Sequence, residues 1–185
     1  MNNLYPLTTG ILGSLAYNFF MPILRAGAFE VFSNSPEQTR RLGIQLGGLL
    51  QKGDLVCLEG ELGSGKTTLV QGITAGWGSA THATSPTFVL VNVYRRPDGA
   101  QLSHLDAYRL QDSREAEALD IDLYLEQGPL VVEWAQKIGA ALPSERMWLK
   151  LFWVDEERRR IEVSPQGKRY EPMVSAFQEA VYGLV

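Results

Sequence analysis

The sequence predicts a three-layer α/β protein with a central, mainly parallel sheet and an antiparallel hairpin at one edge. Three observations predict it. Helical and extended patterns alternate through the middle of the chain. Two short apolar runs, residues 54–59 and 130–133, have the composition of buried strands. The turn sequence Pro97-Asp98-Gly99 separates two further extended segments, as in a hairpin.

The first predicted helix begins at the sequence Ser35-Pro36-Glu37-Gln38. Ser35 suits the N-cap, Pro36 suits the first helical position, and Gln38 completes a capping box. Leucines then recur at helical spacing, at Leu42, Leu46, Leu49 and Leu50. We expect Gly53 to end this helix.

A strand, a glycine-rich loop and a second helix follow. The apolar run 54–59 is the strand, and the loop leads into a helix expected over residues 66–75. We expect Gly76 and Gly78 to stop that helix. The order strand, loop and helix is the context that a phosphate-binding loop requires.

The second half of the chain continues the alternation. Residues 88–94 are rich in β-branched and aromatic side chains and pair with residues 101–105 in the predicted hairpin. A short, interrupted helix is expected over residues 113–125, and the second buried strand follows at 130–133. Two late strands are expected over residues 147–154 and 160–163, and a closing helix over 171–184.

Composition limits the functional classes. A chain of 185 residues suits one domain, expected over residues 29–185. A net charge of −4 disfavours direct, tight binding to nucleic acid, because free-standing nucleic-acid binders are usually basic. The single cysteine, Cys57, suits a reducing compartment. These features predict a cytoplasmic protein that does not itself bind RNA tightly.

The first 28 residues differ from the rest, and we expect them to form a poorly ordered extension. No charged side chain precedes Arg25, so the basic start of a signal peptide is missing. Asn18 and Pro22 interrupt the apolar stretch, which disfavours a membrane span. A start codon placed too early, with Met21 as the true start, remains an alternative.

The loop at residues 60–67, GELGSGKT, carries the clearest chemistry. Its glycines let several backbone N–H groups face one anion, and the following helix adds its positive end. Lys66 supplies a charge to the β- and γ-phosphates, and the Thr67 hydroxyl can ligate Mg²⁺. The sequence therefore predicts a P-loop ATPase that binds ATP and Mg²⁺.

A magnesium site of this kind needs a second carboxylate at the end of another buried strand. Glu133 follows the apolar run 130–132 and is the best candidate. Asp106 also follows a predicted strand; it is expected either to reach the nucleotide or its attacking water, or to cap the next turn. His104 shares a strand face with Asp106, although a structural role is the simpler interpretation.

Two further features allow two interpretations each. Residues 85–88, Ser-Pro-Thr-Phe, form either a switch loop in which Thr87 senses phosphate or metal, or a plain junction into a strand. Trp134 either stacks near the nucleotide or packs in the core. Local sequence does not decide between the two interpretations of residues 85–88, whereas for Trp134 it favours packing in the core.

Together, four stretches resemble the TsaE (YjeE) family of bacterial P-loop ATPases. They are residues 60–68 (GELGSGKTT), 85–88 (SPTF), 104–110 (HLDAYRL) and 131–134 (VVEW), in the family's order and spacing. The resemblance extends over about residues 29–172. The loop alone is common to many nucleotide-binding proteins, whereas the combination is specific.

The resemblance implies a role in forming threonylcarbamoyladenosine in tRNAs that read codons beginning with adenine. Proteins of this family do not carry out the transfer themselves. They bind a TsaB–TsaD pair, whose turnover needs their ATPase cycle, and they meet tRNA only indirectly. The implied activity is a Mg²⁺-dependent ATPase that is weak alone and stimulated by its partners.

The resemblance also implies residue roles. Lys66 binds phosphate, Thr67 and Glu133 hold Mg²⁺, and Asp106 is an essential polar group near the nucleotide. Further nucleotide contacts are implied at Thr39, Gly63, Ser64, Gly65, Thr68 and Trp134. A late arginine makes another contact, either Arg159 or Arg160, and the sequence does not decide between the two.

Two other functional classes share the phosphate-binding loop. A small-molecule kinase would need arginines that close over the transferred phosphoryl group, a role open to Arg109 and Arg114, but residues 99–128 leave little room for a lid. A GTPase-like switch module usually carries Asn-Lys-x-Asp, which this chain lacks. Hydrolysis with water alone and competition between ATP and GTP would separate these classes.

Overall fold

The computed structural model describes residues 26–81, 83 and 90–183. The predictions for residues 1–25 and for the 85–88 loop with Thr87 lie outside these ranges. The elements are β1 (Phe29–Ser33), α1 (Pro36–Leu49), β2 (Leu55–Glu59), α2 (Lys66–Trp77), β3 (Val91–Arg95), β4 (Gln101–Asp106), α3 (Ser113–Glu117), α4 (Ile121–Gln127), β5 (Leu130–Glu133), β6 (Arg146–Trp153), β7 (Arg159–Gln166) and α5 (Glu171–Tyr182). Short 3₁₀ helices span Ala107–Arg109, Ala135–Lys137 and Lys168–Tyr170.

One mixed sheet joins the strands in the order β1-β7-β6-β2-β5-β4-β3. Its centre, β6-β2-β5-β4, is parallel, whereas β3 and β7 run antiparallel to their neighbours. The predicted α/β class and the edge hairpin of β3 and β4 are thus confirmed. Because β2, β4 and β5 are parallel neighbours, their carboxyl ends meet at one edge of the sheet.

Apolar side chains fill both faces of the sheet, which makes the fold three-layered. On β2, Val56 and Leu58 face the core formed with α1, α2 and α5. Leu55 and Cys57 point to the opposite core, which includes residues from α3 and α4. Strands buried on both faces need continuous apolar runs, and this is why β2 and β5 were recognisable in the sequence.

The start of α1 follows the prediction, but its end does not. Ser35 Oγ accepts a hydrogen bond from the Gln38 N–H at 3.2 Å, while Gln38 Oε1 accepts from the Asn34 N–H at 2.7 Å. The helix ends at Leu49, because Leu50 turns into extended backbone and buries its side chain in the core. The prediction that Gly53 ends α1 is therefore wrong; Gly53 instead forms the turn before β2, with φ +82°.

Gly76 does not stop α2, contrary to the prediction. The helix continues to Trp77, and Gly78 ends it in a left-handed conformation with φ +89°. A Cβ atom added to Gly76 would lie 2.0 Å from the Ile44 carbonyl oxygen of α1. Gly76 thus allows close helix packing, and the sequence pattern did not distinguish that role from termination.

Strand β1 was not predicted, although its pattern is present. Phe29, Val31 and Ser33 are buried and alternate with more exposed residues, the period of two expected of a strand. It pairs with β7, which is longer at both ends than the predicted 160–163. None of the helices in the described ranges is long and apolar enough to cross a membrane.

Candidate nucleotide site

The glycine-rich loop joins the end of β2 to the start of α2. Gly65 occupies the N-cap with φ +96°, a left-handed conformation that favours glycine, and no side chain among the described residues caps the helix. The first N–H groups of α2 are therefore left for another acceptor. A backbone that curls into a helix end without a side-chain cap is suited to an anion such as phosphate.

Lys66 is held inside this loop. Its Nζ donates hydrogen bonds to the carbonyl oxygens of Gly60 at 2.7 Å and Glu61 at 2.9 Å. The same atom lies 4.0 Å from the centre of the Trp134 ring and 3.5 Å from the buried Ser64 hydroxyl. Burial lowers the pKa of Lys66 from its usual value, although the carboxylates of Glu133, Asp106 and Glu61 oppose this shift.

Thr67 and Glu133 meet at the ends of β2 and β5. Glu133 pairs in register with Leu58, and its Oε2 accepts a hydrogen bond from the Thr67 hydroxyl at 3.1 Å. Its Oε1 lies 3.0 Å from His104 Nε2. The hydroxyl and carboxylate oxygens suit Mg²⁺, which binds NTPase sites through few protein ligands and the substrate phosphates. Across residues 26–81, 83 and 90–183, no three His, Cys, Asp or Glu side chains form a protein-only metal site.

Asp106 lies beside Glu133 in the register of β4 and β5. Its Oδ1 accepts a hydrogen bond from the Tyr108 N–H at 2.9 Å and so caps the following 3₁₀ helix. The side chain also lines the pocket formed by the loop. Asp106 therefore caps the turn and also lines the pocket, so the two alternatives drawn from the sequence do not exclude each other.

The candidate site is a pocket of about 350 Å³ in front of the loop. Its walls are Leu62, Gly63, Gly65, Lys66, Thr67, Thr68, Asp106, Tyr108, Glu133, Trp134 and Arg159. Most of the residues proposed from the sequence thus come together from four separate parts of the chain. Leu62 and Tyr108 were not proposed, although both fall within the family-like stretches.

Ser64 and Thr39 lie behind the pocket wall. Ser64 is fully buried next to the Lys66 amine. Thr39 is also buried, and its hydroxyl lies 2.7 Å from the Ser33 hydroxyl. The Thr39 methyl group would touch a Cβ at Gly65 at 3.9 Å. Thr39 thus backs the glycine loop in this structure and does not line the pocket.

Arg159 and Arg160 point in different directions. Arg159 lines the pocket, and its Nη1 donates to the Asp155 carbonyl oxygen at 2.6 Å. Arg160 forms ion pairs with Glu30 at 2.7 Å and Glu162 at 2.6 Å, away from the loop. Of the two candidates, the structure puts only Arg159 in position to contact a ligand.

Trp134 closes the pocket in an unusual backbone conformation. Its φ is +58°, in the left-handed region that bulky residues rarely adopt. The ring packs 5.0 Å from the Tyr108 ring and against the Lys66 amine. Side chains held in such a conformation are concentrated at ligand sites, and the location of Trp134 agrees with that tendency.

The fold and this loop define a P-loop nucleotide-binding protein. A family model described as "Threonylcarbamoyl adenosine biosynthesis protein TsaE" matches residues 33–161. The chain belongs to the TsaE family.

Individual relatives agree with the family model. The chain is 37% identical over 139 residues to the "tRNA threonylcarbamoyladenosine biosynthesis protein TsaE" of Bacillus subtilis, covering 74% of this chain and 85% of that one. It is 42% identical over 137 residues to the protein of the same name from Streptomyces coelicolor, covering 71% and 93%. The crystal structure of Bacillus YdiB superposes with a TM-score of 0.68 at 30% identity, covering 83% of this chain and 95% of that one.

Proposed function

We propose that this protein binds ATP with Mg²⁺ and hydrolyses it as a component of threonylcarbamoyladenosine formation in tRNA. The observation that carries the proposal is the convergence of Lys66, Thr67 and Glu133 in one pocket at the carboxyl ends of β2 and β5. Membership of the TsaE family supports the tRNA assignment.

The loop and its lysine provide the phosphate-binding part of the site. The backbone N–H groups around Gly63 and Gly65 and at the start of α2 receive the phosphates, and Thr68 flanks them. Ser64, which is buried, supports the loop from behind. Lys66 leaves its two carbonyl partners and donates to the β- and γ-phosphates. Because burial disfavours its charge, a phosphate anion is a better partner for the amine than the neutral carbonyls.

Thr67 and Glu133 are the residues that would hold Mg²⁺. Bound there, the ion neutralises charge on the phosphate oxygens. Asp106 and Arg159 both line the pocket. In this proposal Asp106 accepts a hydrogen bond from the attacking water or the nucleotide, and Arg159 contacts a phosphate or ribose group. Trp134 packs against the nucleotide. Thr39 does not contact the nucleotide; it packs behind Gly65 and so supports the loop.

The proposed partner is a TsaB–TsaD pair, which carries out the transfer while this protein supplies an ATPase cycle. The hydrolysis is weak in isolation, because a partner group has to complete the site, as arginine fingers do in other P-loop proteins. The net charge of −4 fits a protein that meets tRNA only through its partners. Its site of action is the cytoplasm, where tRNAs are modified.

A kinase role has less support from the pocket. Arg109 and Arg114, the possible lid arginines, are absent from the residues that line it. Arg114 forms an exposed ion pair with Asp112 at 2.8 Å. Residues 99–128 contain β4, a strand of the sheet, and α3 and α4, whose apolar residues pack against one face of it.

A GTPase-like switch also has less support. The chain has no Asn-Lys-x-Asp sequence for guanine selection.

The test is ATP hydrolysis by the purified protein with and without the cognate TsaB–TsaD pair. We expect stimulation by the pair, loss of activity in Glu133→Gln, and no loss in Glu179→Gln on the exposed side of α5. Competition with GTP should leave ATP turnover largely unchanged. Phosphate transfer to a small acceptor in place of water would support the kinase, and absence of both complex and stimulation would overturn the tRNA assignment.

A further inference from the structure

The Glu133 carboxylate is buried together with the His104 imidazole. Their side chains are 3% and 0% exposed, and His104 Nε2 lies 3.0 Å from Glu133 Oε1. Glu133 Oε2 accepts the hydrogen bond from Thr67. Each carboxylate oxygen therefore has one described side-chain partner, which is Thr67 for Oε2 and His104 for Oε1.

We propose that His104 is a positioning residue, a hydrogen-bond donor that fixes the Glu133 carboxylate in the orientation needed to hold Mg²⁺ with Thr67. This inference rests on the proposed function. It assigns to His104 a role in metal affinity and not in contact with the substrate, because His104 does not line the pocket.

The contact between His104 and Glu133 has a defined donor. An ionised carboxylate can only accept, so the hydrogen between the two groups lies on His104 Nε2. His104 Nδ1 is buried and has no hydrogen-bond partner among the described residues. Within the described residues, the Nε2 contact with Glu133 is therefore the polar contact that orients the imidazole.

The position of His104 explains why this donor matters. His104 pairs in register with Val131, two residues before Glu133 on the adjacent strand. From there its hydrogen bond holds one oxygen of the Glu133 carboxylate, while the Thr67 hydroxyl holds the other. A carboxylate free to rotate would leave Thr67. The histidine thereby keeps the two proposed Mg²⁺ ligands together.

Three variants test this role. His104→Leu keeps an apolar side chain but removes the donor, and His104→Gln restores an N–H with similar reach. Leu102→Ala is the matched control, because Leu102 is equally buried on the same strand and face. The measurements are the Mg²⁺ dependence of the dissociation constant for a fluorescent ATP analogue, the same constant in EDTA, and the Mg²⁺ dependence of hydrolysis.

We expect His104→Leu to raise the Mg²⁺ concentration needed for half-maximal effect by about 10- to 100-fold, the usual cost of losing a residue that orients a metal ligand. Its nucleotide affinity in EDTA should stay close to that of the wild type. His104→Gln should recover much of the Mg²⁺ response, and Leu102→Ala should lose stability without a change in that response.

Several results would overturn the inference. A normal Mg²⁺ response in His104→Leu removes the positioning role, as does a His104→Gln variant that behaves like His104→Leu. If His104→Leu does not fold, His104→Asn replaces it, because its shorter amide does not reach Glu133; equal responses of the Gln and Asn variants would contradict the inference. Mg²⁺-independent nucleotide binding by the wild type would overturn the metal site itself, whereas Mg²⁺-dependent binding without hydrolysis would overturn only the ATPase.

Discussion

The Lys66 amine lies 4.0 Å from the centre of the Trp134 ring while it donates to two loop carbonyls. Lys66, the proposed phosphate-binding residue, is thus held by its own loop and by Trp134, which follows the proposed metal ligand Glu133 in sequence. A cation over an aromatic face is stabilised by about 0.5–2 kcal/mol, depending on desolvation. In the proposed function, Lys66 exchanges these contacts for a phosphate when the nucleotide binds, so we expect the environment of Trp134 to change as well.

The first prediction concerns the charge on Lys66. Burial lowers its pKa below 10.5, so the folded protein binds fewer protons than the unfolded chain between the lowered pKa and 10.5. The contribution of Lys66 to the free energy of unfolding therefore rises with pH across that window. Below the window, the buried charge on Lys66 destabilises the fold by its full amount. We expect the stability of Lys66→Met relative to the wild type to fall as pH increases from 7 to 10, measured by urea denaturation.

The same variant should lose nucleotide binding. Removing a charged hydrogen-bond donor costs about 1.5–3 kcal/mol, or roughly 10- to 100-fold in affinity. Isothermal titration with ATP and Mg²⁺ measures the loss, and Lys52→Met, remote from the pocket, is the control. A pH-independent stability difference, or normal ATP affinity, would contradict this account of Lys66.

The second prediction isolates the backbone conformation of Trp134. At φ +58° an L-residue is disfavoured by about 1–2 kcal/mol, a cost that glycine avoids. Trp134→Gly should therefore be more stable than Trp134→Ala by about 1 kcal/mol, although both lose the ring. Arg41, exposed within α1, provides the control pair, where alanine should be the more stable by about 1 kcal/mol. Equal stability of the two Trp134 variants would show that the conformation is not strained.

The sequence predicted the parts of the site that are contiguous. The loop with Lys66 and Thr67 is recognisable because one short segment contains the whole phosphate-binding pattern. Glu133 was recognisable because a strand buried on both faces must be apolar until it ends. Arg159 and Arg160 could not be separated, since strand alternation decides which of them faces the pocket, and the register of β7 depends on pairing with distant strands.

Other features depended on contacts between distant segments. Gly76 has the composition of a helix stop, yet its role is set by the approach of α1, which no local pattern reveals. The buried contact of Thr39 with Ser33 likewise depends on β1, an element that was not predicted. The partnership of His104 and Glu133 joins neighbouring strands, so alternation along β4 alone did not indicate it.

The third prediction separates the two roles of Asp106. Asparagine caps a helix about as well as aspartate, so Asp106→Asn should keep the hydrogen bond to the Tyr108 N–H, while Asp106→Ala should lose about 1 kcal/mol of stability. Both should hydrolyse ATP poorly, because both lack the pocket carboxylate. Asp112 is the control: it caps α3 away from the pocket, so Asp112→Ala should lose stability but keep activity. An active Asp106→Asn would mean that Asp106 serves only as the cap.

The fourth prediction tests how helix packing supports the site. A Cβ atom at Gly43 of α1 would lie 2.3 Å from the Leu69 carbonyl oxygen of α2, whereas one at Gly48 meets no atom within 4 Å. Gly43→Ala must push the helices apart and should destabilise the fold by about 1–3 kcal/mol. Gly48→Ala, in the same helix, should be neutral or stabilising by up to about 1 kcal/mol.

Because α2 begins with Lys66 and Thr67, a displacement of this helix also moves the groups proposed to bind phosphate and metal. We therefore expect Gly43→Ala to weaken ATP binding even at temperatures where it remains folded, and Gly48→Ala to bind normally. Thermal unfolding and ATP titration of both variants measure these effects. If Gly43→Ala lost stability but bound ATP as tightly as the wild type, the loop would hold its geometry independently of α1, and the close glycine contact would serve the fold alone.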